Sequence, residues 1–304
     1  MDGESPVGRL SSAGARPAVV ALRPGVPVLR RDGGHVQLGV GPEAVLVPVG
    51  PDATRLVGAL EAGPVRWTAP DDALVARLWG AGLLVDAESW DDDRARWPGL
   101  AETAYSRAPV AAHRRLAGRA AARVGVDAPV GWQRALHALV AEAGLVEGPA
   151  PDAVLLVTRG EPTRSRVDAL AHAGLAHLVV RVGAGEVEVG PFVVPGRTAC
   201  LRCEDAHRTD LDPRWPVLLA QLTSRPARQR AAAGDADCEP VLRGLAWAWA
   251  VRELSTYAEG DLPATWSARV TIGPDLSLPR QELLRHPHCG CAWDHQLEAA
   301  GPAA

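Results

Sequence analysis

The chain has 304 residues, 47% of them hydrophobic and 22% charged, a globular composition that excludes wholesale disorder and leaves room for two domains at roughly 100–200 residues each. Its 32 basic residues are all arginine and the net charge is −4. That balance leaves no electrostatic footprint of a dedicated nucleic-acid binder, and the absence of lysine excludes phosphate-loop lysine and Schiff-base chemistry.

In chain order, residues 1–24 are expected to be a mobile tail rich in Gly, Ser, Ala and Pro. The start is acidic, and the apolar stretch Ala18–Leu22 is cut by Arg23 and Pro24, so it does not read as a secretory signal. No run approaches the ~18 apolar residues of a spanning helix, and a cytoplasmic location is expected. Residues 25–87 predict a small α+β module. Val36, Leu38 and Val40 alternate with Gln37 and Gly39 as in a strand, Gly41-Pro42 turns, and Ala44–Val47 gives a second strand. A helix from Asp52 to Leu60 and another from Asp71 follow, the second with Leu74, Val75 and Leu78 on one stripe, and Leu83–Val85 closes as a strand. This order suits a winged-helix-like module. Residues 88–108 are expected to be a linker, with Asp91-Asp92-Asp93 as a solvated acidic run and Trp97-Pro98-Gly99 as a stop.

From residue 109 the pattern turns α/β and extends to 297, leaving 298–304 as a tail. Ala153–Val157 and Leu178–Val180 are all-apolar runs, as in strands buried on both faces. Between them Val167, Leu170 and Ala171 have helical spacing, completing a βαβ unit. Glu186–Val189 alternates, and Gly190-Pro191 is expected to turn it. Glu239–Tyr257 predicts a helix with Leu242, Leu245, Ala246 and Trp249 along one side, and Trp266–Ile272 an antiparallel strand. Trp249 is expected to face inward; Trp247, two positions earlier, points elsewhere and is weighed as core or partner contact.

Four of the five cysteines form two close pairs, Cys200-Leu201-Arg202-Cys203 and Cys289-Gly290-Cys291. Four thiolates complete a closed tetrahedral site of the structural zinc type. Because the pairs lie far apart in sequence, the ion would pin the end of a domain, and its binding would be coupled to folding. His286 and His288 flank the second pair, so an imidazole is an alternative fourth ligand; the other alternative, ordinary buried cysteines, is disfavoured because two close pairs among five cysteines are improbable by chance. A redox C-x-x-C is disfavoured because the motif follows Pro195–Thr198 rather than opening a helix. Cys238 reads as a buried small hydrophobe. His207 and Asp210 are candidates to support the metal ligands or are simple surface polar groups.

The segment Gly190-Pro191-Phe192-Val193-Val194-Pro195-Gly196-Arg197-Thr198-Ala199-Cys200-Leu201-Arg202-Cys203, with His286-Pro287-His288-Cys289-Gly290-Cys291, resembles ThiF/MoeB-like, ubiquitin-activating-enzyme-like proteins. In particular it resembles the precursor leader-peptide-binding, or cyclodehydratase-partner, branch of thiazole/oxazole-modified microcin biosynthesis. The resemblance covers about residues 25–295 and is specific only at the cysteine segments. It implies a Rossmann-like α/β domain with a zinc-pinned C-terminal part, preceded by the winged-helix-like recognition module. It also implies a ribosomal precursor peptide and a YcaO-type enzyme as partners, and a possible homodimer through the sheet domain. The leader would add a strand to the edge formed by Val45, Leu46 and Val47, beside the helix bearing Leu74, Val75 and Leu78, although each of these six, taken singly, reads first as core.

The family's strand, G-x-G-x-x-G and helix are expected at His113-Arg114-Arg115-Leu116-Ala117-Gly118, where only Gly118 fits and His113 and Arg115 obstruct a phosphate. Arg159 stands in place of the family's Asp, no acid for a ribose is found between Ala128 and Gln133, and the lysine is missing. A degenerate nucleotide slot is therefore expected, with no catalytic residue and no ATP cofactor. The alternatives are a divergent ATP-dependent adenylyltransferase acting on a peptide or carrier C-terminus, and a zinc-containing nucleic-acid-binding module.

Overall fold

A computed structural model describes residues 17–68, 71–224 and 238–292; the expected tail at 298–304, and most of that at 1–24, lie outside these. The chain divides into two compact units, Met1–Leu116 and Ala117–Ala304.

In the first unit, β2 (Val28–Arg30), β3 (His35–Leu38) and β4 (Val45–Pro48) form an antiparallel meander. One face of it is buried, which is why Val45 and Val47 point inward while Leu46 and Pro48 alternate outward. Helix α1 (Pro51–Ala62) starts with a proline in its first turn, where a missing N–H costs nothing, and buries Leu56, Val57 and Leu60. Helix α2 (Asp72–Gly80) adds Val75 and Leu78 to the same core.

Two expectations fail here. Residues 19–22 are no tail: β1 (Val19–Leu22) is the middle strand of a second sheet, between β5 (Val65–Arg66) and β6 (Leu84–Asp86). Its four residues carry too short a pattern to be seen without their partners. Nor are residues 88–108 a linker, since they form α3 (Ala87–Arg96) and α4 (Pro98–Arg107). Asp86 caps α3 by accepting a hydrogen bond from the Glu88 N–H. The acidic run is not wholly solvated either. Asp93 is buried and its carboxylate accepts hydrogen bonds from the Tyr105 hydroxyl at 2.8 Å and His113 Nδ1 at 3.0 Å. The winged-helix-like expectation thus spans only the middle of a larger α+β unit.

The second unit is built on a seven-stranded sheet of order β13-β12-β11-β10-β9-β7-β8. Helix α5 (Ala112–Ala121) leads into β7 (Arg123–Asp127), α6 (Val130–Glu142) and β8 (Val146–Glu147). Then come β9 (Ala153–Arg159), α7 (Arg164–His172) and β10 (Ala176–Val182). Strands β8, β7, β9 and β10 pair in parallel. With α6 packed on one face and α7 on the other, β9 and β10 are buried on both sides, which explains their unbroken apolar runs.

β11 (Val187–Val193) turns the sheet antiparallel and is followed by α8 (Leu201–Leu211), α9 (Trp215–Ser224), α10 (Pro240–Ala258), β12 (Ala268–Ile272) and β13 (Arg280–Glu282). Gly190-Pro191 lies inside β11 and makes no turn. Gly190 sits at φ +109° beneath the Ala268 carbonyl oxygen, where a Cβ would collide. Helix α10 buries Leu242, Ala246, Trp247, Ala250, Val251 and Leu254, while Leu245 is exposed and Trp249 only half-buried. The inward stripe therefore runs through Trp247. No described helix is long and apolar enough to cross a membrane.

Candidate functional site

Three places in the structure gather the residues singled out by sequence. The first is the cysteine tetrad. Cys200 caps α8 and Cys203 lies in its first turn, where the helix macrodipole favours thiolate. The C-x-x-C does open a helix, contrary to expectation, but its two sulfurs are not alone. Sγ of Cys200 lies 3.8 Å from Cys203 and 3.7 Å from Cys289, and Cys203 lies 3.4 Å from Cys291. A tetrahedron of ~2.3 Å zinc–sulfur bonds has edges of about 3.8 Å; two of these separations match that edge, the Cys203–Cys291 one is shorter, and all four sulfurs lie within 4.8 Å of one another. They sit against Val193, Ala199 and Leu283 in a small core of their own. Without a metal the thiols share protons unevenly. Hydrogen bonding with Cys203 and Cys291 pushes Cys200 up, and hydrogen bonding with Cys200 pulls Cys203 down.

The flanking imidazoles do not join this set. His286 is buried and its Nδ1 accepts the N–H of His288 at 3.1 Å, so a neutral ring carries its proton on Nε2 and donates it to Asp210 at 2.9 Å. Neither ring nitrogen then has a lone pair free for a metal. Although His207, Asp210 and His286 are close enough to be considered as ligands, the hydrogen bonds make His286 a latch that ties the second cysteine pair to α8. His207 adds to it through Leu284 O at 3.1 Å.

The second place is the crevice at the carboxyl ends of β7 and β9. The chain leaves β7 toward β8 on one side and returns to β9 on the other, so this is the switch point where doubly wound sheets bind ligands. The strand-to-helix turn here is Ala128-Pro129, opening α6. His113, Arg115 and Gly118 are thus misassigned by the sequence: all three lie in α5, which precedes the strand. His113 belongs to the Asp93 cluster, and Gly118 is glycine because a Cβ there would stand 2.5 Å from the Ala258 carbonyl oxygen. Arg159 is the last residue of β9, at the mouth of the crevice.

What fills the crevice was not foreseen. Trp132, in the first turn of α6, is 3% exposed. The guanidinium carbons of Arg159 and Arg243 lie 4.4 and 5.5 Å from its ring centroid, and Trp247 packs at 5.9 Å. Asp127, ending β7, is paired with Arg166 at 2.7 Å. Glu147, ending β8, is bonded to His137 at 2.7 Å.

The third place is the edge of the meander. β4 pairs with β3 and with no other described strand. Of the six expected peptide-binding residues, Val45, Val47, Val75 and Leu78 are buried in the first unit's core and Leu74 packs against it. Leu46 is exposed, in a cross-strand row with Gln37 and the exposed Leu29.

No protein-family model and no curated protein matches the chain. Solved structures match its fold. The heterocyclase TruD superposes with a TM-score of 0.66 over 94% of this chain and 44% of its own, at 19% identity. A heterocyclase in complex with substrate and cofactor gives 0.63 over 90% and 39%, at 16% identity. MccB, the microcin C7 biosynthetic enzyme of E. coli, solved in complex with N-formylated MccA, gives 0.56 over 90% and 99%, at 12% identity. The chain spans less than half the length of the two heterocyclases and nearly all of MccB. Its fold is accordingly shared with these heterocyclases and with MccB.

Proposed function

We propose that the chain is the precursor-peptide-binding scaffold of a thiazole/oxazole-forming peptide cyclodehydratase system, without nucleotide chemistry of its own. The observation that carries this is the filled crevice. Trp132, Arg159 and Arg243 stand where a phosphate cradle needs bare backbone. Such a chain keeps the fold as a platform, and the reacting partner, a YcaO-type enzyme, supplies the chemistry. The resemblance of fold to MccB, solved with N-formylated MccA, and to a heterocyclase solved with its substrate supports a peptide ligand.

The leader would pair its backbone along β4, where Val45–Val47 offer an unpaired edge and Pro48 limits its length. Leu46 and Leu29 supply apolar contact on the outer face, while Val45, Val47, Val75 and Leu78 hold the edge rigid from beneath. The cysteine tetrad would hold a structural Zn²⁺ through Cys200, Cys203, Cys289 and Cys291. All four positions are then protein ligands, so the ion braces β11, α8 and the chain after β13 rather than acting on a substrate.

Two measurements test this. A fluorescein-labelled precursor peptide from the same gene neighbourhood should bind the purified chain. Leu46→Glu should weaken binding at least tenfold while leaving thermal unfolding unchanged. ATP–pyrophosphate exchange should stay at background; robust exchange would establish the adenylyltransferase alternative and defeat the scaffold.

A further inference from the structure

Three consecutive residues of α8, Cys203, Glu204 and Asp205, are all buried. Successive side chains on a helix point about 100° apart, so this first turn is enclosed on three sides. One side faces the cysteine tetrad. On the second, Glu204 meets Arg181 of β10 at 3.5 Å and accepts hydrogen bonds from Arg269 of β12 and, at 2.6 Å, from Arg208 of its own helix. On the third, the Asp205 carboxylate accepts from Arg164, at the start of α7, at 2.6 and 2.8 Å, and from the Trp215 indole N–H of α9 at 3.1 Å. Adjacent carboxylates thus tie the turn that carries Cys200 and Cys203 to the sheet and to two helices.

Stability alone does not call for charge at these two positions. The desolvation of two buried ions roughly offsets their attraction, and well-packed apolar side chains of the same size hold a core as firmly. What paired ions add is direction, because a carboxylate held from two strands can neither turn nor slide. A metal demands that precision, since its ligands must meet it within a few tenths of an ångström. We propose that Glu204 and Asp205 are positioning residues of the tetrad: their ion pairs set the first turn of α8 so that Cys200 and Cys203 stand ready for the ion that Cys289 and Cys291 close over. This rests on the assignment of the tetrad as a zinc site and concerns how that site is built. The charge of Glu204 by itself acts the other way. A carboxylate next to Cys203 disfavours the thiolate that binds metal, so its removal would tighten the site if the field were all that mattered.

Cobalt(II), whose d–d absorption reports tetrahedral thiolate coordination, is the probe, titrated into the full metal-stripped chain against a competing chelator. Wild type should bind one equivalent. Glu204→Gln and Asp205→Asn, which keep the shape and remove the charge, should bind roughly 10–100-fold more weakly, with altered d–d bands at saturating cobalt. Arg269→Gln should do the same, and Arg269→Lys, which keeps the charge, should recover part of the affinity. Glu259→Gln breaks an equally buried ion pair elsewhere in the same unit and should lower thermal stability without moving the cobalt affinity or spectrum. Wild-type affinity and spectrum in both Glu204→Gln and Asp205→Asn, tighter binding, or an equal loss in Glu259→Gln overturns the proposal and leaves the zinc assignment standing. A wild-type chain that takes up no cobalt overturns both.

Discussion

The guanidinium carbon of Arg159 lies 4.4 Å from the ring centroid of Trp132, which joins the end of β9 to the first turn of α6 across the mouth of the sheet. Because Trp132 is 3% exposed and also packs on Trp247, it works as core. Trp132→Ala should cost about 3–5 kcal/mol of stability in urea unfolding. Arg159→Ala, which removes an exposed side chain and its cation–π contact, should cost under about 1 kcal/mol. Equal losses would show that the two side chains do not play these separate roles.

The four sulfurs predict a metal-dependent fold. The purified chain should carry one equivalent of zinc by atomic absorption. Cys203→Ser or Cys289→Ser should lose it. Strong chelation should lower the melting temperature by about 10 °C or more, because site formation is coupled to folding. A metal-free chain with unchanged melting would mean that the thiols merely pack.

His177 lies in β10, fully buried, with Nδ1 donating to Leu175 O at 2.9 Å. Burial pushes its pKa below the ordinary 6.5. The unfolded chain therefore binds more protons at low pH, and the stability tied to the neutral ring is present above about 6.5 and lost as pH falls through the folded value. His177→Phe should flatten the acid limb of a stability–pH curve between about pH 5 and 7. An unchanged slope would place the acid sensitivity elsewhere.

Gly118 allows α5 to approach the end of α10, since its missing Cβ would stand 2.5 Å from Ala258 O. Beside it Arg119 binds the buried Glu259, which also meets Arg252 at 2.9 Å. Burial alone would raise Glu259, but these two arginines hold it below the usual carboxylate range. Gly118→Ala should cost about 1–3 kcal/mol by forcing the backbones apart, despite alanine's better helix propensity. A stabilised variant would show that the helices yield freely.

Asp93 holds three helices together through Tyr105 and His113. Asp93→Ala strands a buried hydroxyl and should cost about 1–3 kcal/mol. Asp93→Asn keeps an acceptor and should cost less. Chemical denaturation of the two variants separates lost hydrogen bonding from lost charge.

Much of the second unit was legible because its signals are local. An unbroken apolar run such as Ala153–Val157 needs no partner to be read as a doubly buried strand. The cysteine pairs announce ligand chemistry by spacing alone. The failures have physical causes. In α5, a glycine amid arginines mimicked a phosphate loop, whereas its role is set by Ala258, distant in sequence. In α3, three consecutive aspartates disguised one that turns inward to Tyr105. β1 has four residues and becomes a strand only beside β5 and β6. In α10 the apolar residues go nearly all the way round, so composition could not say whether Trp247 or Trp249 faced the core.

The sequence by itself determined the chemistry on offer: four paired thiols, no lysine, and apolar runs suited to a parallel sheet. Only the tertiary structure decided where that chemistry is used. It brought Trp132, Arg159 and Arg243 to one crevice and put Gly118 against a helix end. Hydrophobic period and ligand spacing act over a few residues, so they can be read along the chain. A crevice or a close helix contact is made by residues tens to a hundred positions apart, and strand order alone brings them together.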